Sequence, residues 1–143
     1  MGSWKTVTVA LLALCSASVQ AARAGSPPAV AERRSMAPGL WGGDHVQMVV
    51  SRVGARLEYD CADGTIDQPI ILDAKGRFTA KGSYTPERGG PRRNGRAVAA
   101  PAGYVGQVTA GTMTLILTLE KGKQQAGVFT LTRDHDSLLT KCR

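Results

Sequence analysis

Residues 112–119 read TMTLILTL. Met113, Leu115, Leu117 and Leu119 alternate there with Thr112, Thr114, Ile116 and Thr118. A two-residue period puts one set on one face of an extended chain and the other set on the opposite face. An amphipathic helix needs an apolar period near 3.6, and no segment beyond residue 24 has one. The chain is therefore read as all-β.

Eight strand candidates follow, near 43–50, 55–61, 65–72, 77–84, 102–109, 112–119, 125–133 and 137–142, most of them separated by turn residues. Register is tested by asking which pairing gathers apolar residues on one face. A turn at Ser51–Gly54 sets Val50 against Ala55, Met48 against Leu57 and Val46 against Tyr59. The opposite face then carries Val49 with Arg56, Gln47 with Glu58 and His45 with Asp60. Asp73-Ala74-Lys75-Gly76 reads as a turn closed by a left-handed glycine and a bulge. It pairs Leu72 with Phe78, Ile70 with Ala80 and Ile66 with Tyr84. A loop at 120–124 sets Leu115 against Phe129 and Met113 against Leu131. Consecutive hairpins form a meander, and closing it removes the exposed edges. The expected fold is an eight-stranded antiparallel up-and-down barrel with one disulfide.

The termini narrow the compartment. Residues 1–24 place Lys5 before a short apolar run, Val7–Leu14, and small residues at two cleavage positions between Ala21 and Ala24. This is the organisation of a secretory signal peptide, too short to cross a bilayer. Leu12-Ala13-Leu14-Cys15 has the outline of a lipobox, but bulky Leu14 stands where a small residue belongs, so lipidation of Cys15 is not expected. The expected location is periplasmic or secreted. Residues 25–39 read as a flexible arm and 40–143 as one domain. A mature chain of about 120 residues supports one modest core.

Two cysteines then remain, Cys61 and Cys142. An oxidising compartment favours their pairing, and the closed loop adds about 4–5 kcal/mol in the chain-entropy account. The meander agrees, because strands two and eight end at one rim. The bridge would pass the first strand at Gly42-Gly43. No zinc spacing is present, and none of the phosphate- or dinucleotide-binding motifs occurs, so no metal or cofactor is expected.

Gly39-Leu40-Trp41 resembles the G-x-W that opens the first strand of lipocalin-like barrels. The resemblance implies that Trp41 plugs a closed end beneath a basic side chain, Arg133 or Lys141. More broadly, LWGGDH, DCADGTIDQPIILDAKGRF, GGP, MTLILTL, FTLTR and KC resemble a family of small exported bacterial proteins with no assigned activity. That resemblance spans 40–143 and implies a shared fold. It carries over no catalytic residues.

Inward aromatic and sulfur side chains are the candidate ligand contacts: Tyr59, Phe78, Tyr84, Tyr104, Met113 and Phe129. Gln68 is a further inward polar candidate. Two readings stay open, a filled core and a lumen that holds a ligand. His45 with Asp60 is the strongest polar pair, read either as an exposed ion pair or as a proton or metal site. Asp134-His135-Asp136 reads as a turn. Removing Lys5 lowers the formal charge from +7 to +6. Much of the excess sits on Arg88, Arg92, Arg93 and Arg96 in one loop, which is either solvated or meets an anionic envelope polymer. Aromatic residues do not interleave with the basic ones, which argues against nucleic acid. The expected activity is non-enzymatic binding of a small apolar or amphipathic ligand. The alternative is a protein-binding module, such as an inhibitor of an exported hydrolase that works through the arm.

Overall fold

A computed structural model of the chain describes residues 2, 32–87, 97–119 and 123–142. The expected signal segment, apart from Gly2, and residues 25–31 of the expected arm lie outside the described residues. Among the described residues ten strands run in order: β1 (Arg34–Ser35), β2 (Gly39–Gly43), β3 (Val46–Val50), β4 (Ala55–Tyr59), β5 (Ala62–Ile66), β6 (Ile71–Leu72), β7 (Arg77–Pro86), β8 (Ala100–Thr109), β9 (Thr112–Leu119) and β10 (Gln124–Arg133). Eight of them form a closed barrel in the order β10-β2-β3-β4-β5-β7-β8-β9. Every pairing in it is antiparallel, so the expected eight-stranded meander is the fold.

The hairpin of β3 and β4 has the expected register, with Val50 opposite Ala55, Met48 opposite Leu57 and Val46 opposite Tyr59. So does the β9–β10 pair, with Leu115 opposite Phe129 and Met113 opposite Leu131. Three boundaries differ from expectation. First, the strand expected near 43–50 is β3, and a separate strand, β2, precedes it at Gly39–Gly43. Asp44 and His45 turn the chain between β2 and β3, and His45 sits in the left-handed region at φ 66°. No apolar residue at 42–45 needs burial, so nothing opposes that turn.

Second, residues 137–142 are not a strand. β10 already pairs with β2, as Leu131 with Gly43, Thr132 with Gly42 and Arg133 with Trp41. The chain turns at Asp134, with φ 54°, and runs back along the outside of the wall. This strap is parallel to β2 where Asp44 bridges Leu138. Asp134 N–H donates to Leu40 O, Leu138 N–H to Gly43 O and Cys142 N–H to Asp60 O. A Cβ at Gly42 would collide with the backbone of His135 and Asp136, so the glycine makes room for the strap. Cys142 ends the strap in its disulfide with Cys61, across 81 residues of sequence.

Third, the barrel register between β5 and β7 is shifted by two residues. Ile66 opposes Gly82 and Gly64 opposes Tyr84. The shift preserves the faces. Pro69 cannot donate to a ladder, and the chain leaves the barrel after Ile66. β6 pairs with β1 instead, as Leu72 with Arg34 and Ile71 with Ser35. The turn after β6 keeps its expected left-handed glycine, Gly76, at φ 74°. The described part of the expected arm is thus not free: Met36 N–H donates to Ile70 O, and Met36, Ile70 and Leu72 are buried in the barrel core.

The strap lies outside a wall that is already closed. Replacing Cys61 and Cys142 together by serine should therefore lower stability by about 2–5 kcal/mol while preserving the barrel. Hydrogen exchange should show Thr140 and Cys142 amides losing protection while Leu115 and Leu117 keep theirs. Loss of protection at β9 would contradict this division.

Candidate functional site

The two ends of the barrel are built differently. One is plugged. Trp41 is buried, with the Arg133 guanidinium carbon 5.8 Å from its ring centroid, and Arg133 also donates to Pro38 O. Arg133, not Lys141, is therefore the cover that the G-x-W resemblance implies. Phe78 lies in the same core.

The middle is a packed core. Tyr104, Met113, Leu115 and Leu131 have no measurable exposure. Ring volume is accommodated by glycine. A Cβ at Gly106 would strike the Phe78 ring, one at Gly64 would strike the Tyr104 hydroxyl, and one at Gly127 would strike the Phe129 ring. Phe78, Tyr104 and Met113 thus fill the interior. Gln68, an inward candidate from sequence, is exposed on the excursion after β5.

The opposite end holds the remaining candidates. Tyr84, Phe129 and Leu119 are half-buried and pack on the core edge. The Tyr59 ring centroid lies 5.6 Å from that of Tyr84 and 5.2 Å from that of Phe129, both tilted. Aromatic pairs favour such geometry. Tyr59 itself is 5% exposed, and its hydroxyl, although it neighbours the Tyr104 hydroxyl, completes no hydrogen bond of good geometry among the described residues. The Tyr104 hydroxyl donates to Ser83 O at 2.7 Å. Burial, reinforced by the neighbouring tyrosines, raises the Tyr59 phenol far above its ordinary range. Burial likewise pushes Tyr104 up to about 12. Both phenols are neutral donors near neutral pH. The site brings Tyr59, Tyr84 and Phe129 together at one end, with Tyr104 below. Phe78 and Met113 do not reach it.

The outer rim at this end is polar. His45 Nδ1 is 2.6 Å from Asp60 Oδ2, as their cross-strand placement implies. Asp60 Oδ1 accepts the Thr140 amide at 2.7 Å. Lys141 Nζ lies 2.9 Å from Glu58 Oε1 and donates to Tyr59 O. The pair therefore fastens the strap. No three His, Cys, Asp or Glu side chains gather as a metal site among the described residues. Arg88, Arg92, Arg93 and Arg96 lie outside the described residues. Comparison of the chain with protein-family models, curated proteins and solved structures finds no match in any of the three.

Two expectations follow from this geometry. Asp60 is held below its ordinary pKa of 3.8, first by the Thr140 amide and then by His45. Its contribution to strap docking is complete above 3.8 and is lost as pH falls through the lower folded-state value. The Thr140 amide should lose exchange protection over that acid range, and Asp60→Asn should remove the dependence. The second concerns the phenols. Tyr59→Phe removes a hydroxyl that has no partner, so it should leave stability unchanged or raise it by about 1 kcal/mol. Tyr104→Phe should lower stability by about 1 kcal/mol, because Ser83 O loses its donor. Urea denaturation of the two variants makes the comparison.

Proposed function

We propose that this is an exported binding barrel whose ligand sits at the end lined by Tyr59, Tyr84, Phe129 and Leu119. The ligand is small, apolar and uncharged, and carries one hydrogen-bond acceptor. The Tyr59 hydroxyl carries this reading. A buried donor without a partner costs about 1–3 kcal/mol, and a bound carbonyl or ether oxygen would recover it. The half-buried rings beside it supply apolar contact, as pockets with few polar groups do. No ionised side chain is buried among the described residues, so a charged group would enter that interior without a counter-charge. The docking of Met36 and the β1–β6 pairing weigh against the alternative in which residues 25–39 reach into a hydrolase cleft. The role of His45 and Asp60 in holding the strap likewise leaves the exposed pair without a need for a catalytic one.

Two neutral probes test this reading. Nile red carries a carbonyl, and diphenylhexatriene is a hydrocarbon. Wild-type protein should bind Nile red, and Tyr59→Phe should weaken that binding about two- to tenfold, as one neutral hydrogen bond implies. Diphenylhexatriene affinity should be unchanged by the substitution. Equal effects on both probes, or no saturable binding of either, would defeat the proposal. Native mass spectrometry of protein from its own host would show whether an apolar molecule is retained.

A further inference from the structure

A second feature lies on the outside of the barrel, at the plugged end. The β1–β6 pair turns Leu72 to the core, and on its other side a cleft of about 440 Å³ is lined jointly by Arg33, Ile71 and residues of β7 and β8. Its apolar lining is Ile71, Val105 and the edge of Phe78, with Thr79 between. Ile71 and Val105 are each 42% exposed. Its charged lining is Arg33, Arg77 and Asp73. Asp73 is already committed to Arg77, at 2.8 Å to Nη2 and 2.9 Å to Nε. Arg33 has no carboxylate within 4.0 Å among the described residues, so the cleft keeps one uncompensated guanidinium.

The apolar lining does not stop at the cleft. The registers place Thr79, Val105, Ile116 and Val128 in one outward row across β7, β8, β9 and β10. Val128 is 54% exposed. The neighbouring rows are Arg77-Gln107-Thr114-Thr130 and Lys81-Gly103-Thr118-Gln125, with both cations on β7. None of these residues on β8, β9 or β10 is charged. On a chain of net charge +7, this is an aliphatic track with a cation at one end. Four adjacent strands span roughly 14 Å, about the length of a medium alkyl chain.

We infer that the cleft and this row bind an amphipathic anion, an alkyl carboxylate whose head meets Arg33 and whose chain lies along Val105, Ile116 and Val128. A guanidinium presents paired donors that match a carboxylate. The aliphatic row removes methylene groups from water, and the flanking threonines carry no charge that would oppose the head. Arg77, held by Asp73, adds field without closing the cleft. The cleft is at the opposite end from Tyr59 and the row lies on the outer face, where Val128 points away from the interior that Phe129 lines, so this site is independent of the function proposed for Tyr59.

Decanoate below its micellar concentration is the probe, titrated into the isotope-labelled mature chain and followed by NMR. Saturable shifts should appear on the methyl groups of Ile71, Val105, Ile116 and Val128. Arg33→Gln should weaken binding about tenfold or more, the loss expected for a hydrogen bond to a charged group. Decanol, with the same chain and no charge, should bind wild type more weakly by a similar factor. Tyr59→Phe should leave decanoate affinity unchanged. Val105→Ser should weaken decanoate and decanol alike, separating the track from the head. The inference is overturned if no saturable shift appears, if the shifts fall on Leu117 and Leu119, or if Arg33→Gln binds decanoate as wild type does.

Discussion

The structure depends on one seam. Seven of the eight barrel junctions join strands next to each other in the ring by turns, loops or an excursion. The eighth, β10 to β2, brings together opposite ends of the domain in only three residue pairs. No turn enforces it, so its loop-closure entropy is the largest in the fold. Several residues serve it. Gly43 lets the two backbones approach, since a Cβ there would meet Thr130 O. Arg133 reaches across it to Trp41 and to Pro38. The strap then lies over its outer side and is tied down by a disulfide on the β4–β5 turn. The cross-link therefore limits the chain twice. It shortens the free loop in the unfolded chain, and it holds a strap across the weakest junction of the folded one.

Closing the seam at this barrel size leaves little room inside. A lumen lined on eight strands with large side chains at every inward position would be overfilled. The chain meets this limit with glycine opposite rings: Gly106 beside Phe78, Gly64 beside Tyr104 and Gly127 beside Phe129. The result is dense packing from the Trp41 plug to Tyr104. Two buried donors find no partner among the described residues, Trp41 Nε1 within that layer and the Tyr59 hydroxyl, which stands above it beside the rings of Tyr84 and Phe129. Polar atoms so placed stand out in a core whose other buried members are almost all apolar.

Much of this was legible from residue patterns, for identifiable reasons. The alternation of 112–119 and the apolar matching of 46–50 with 55–59 specified faces, because a one-residue slip would turn every side chain over. The strand total came out at eight although two members were misassigned. The expected 43–50 is β3, the added member is β2 at Gly39–Gly43, and losing 137–142 removed one. Asp134-His135-Asp136 reads equally well as a hairpin turn or as the start of a strap, and only the prior closure of the ring on β2 decides between them. The cysteines met at one rim by the same coincidence of direction, since the strap runs parallel to β2 and reaches the rim that a returning strand would have reached. The identity of the inward rings was also legible, as inward parity needs no tertiary knowledge. Which ring would lack a partner was not. That depends on where each hydroxyl meets a carbonyl, as Tyr104 meets Ser83 O, a three-dimensional distance that local pattern does not fix.

The strap and the Tyr59 end are mechanically one unit. Lys141 donates to the carbonyl of Tyr59, Thr140 donates to the side chain of Asp60, and Cys142 bonds both Asp60 O and the Cys61 sulfur. Three successive strap residues thus hold three successive residues of the β4–β5 turn, beginning at the tyrosine itself. Glu87 N–H closes the far side by donating to Cys61 O, where β7 leaves the barrel beside Tyr84. Tethers on both flanks fix where the Tyr59 backbone enters the barrel, so the position of its ring is set from outside the wall, as a preorganised group requires support from the residues behind it.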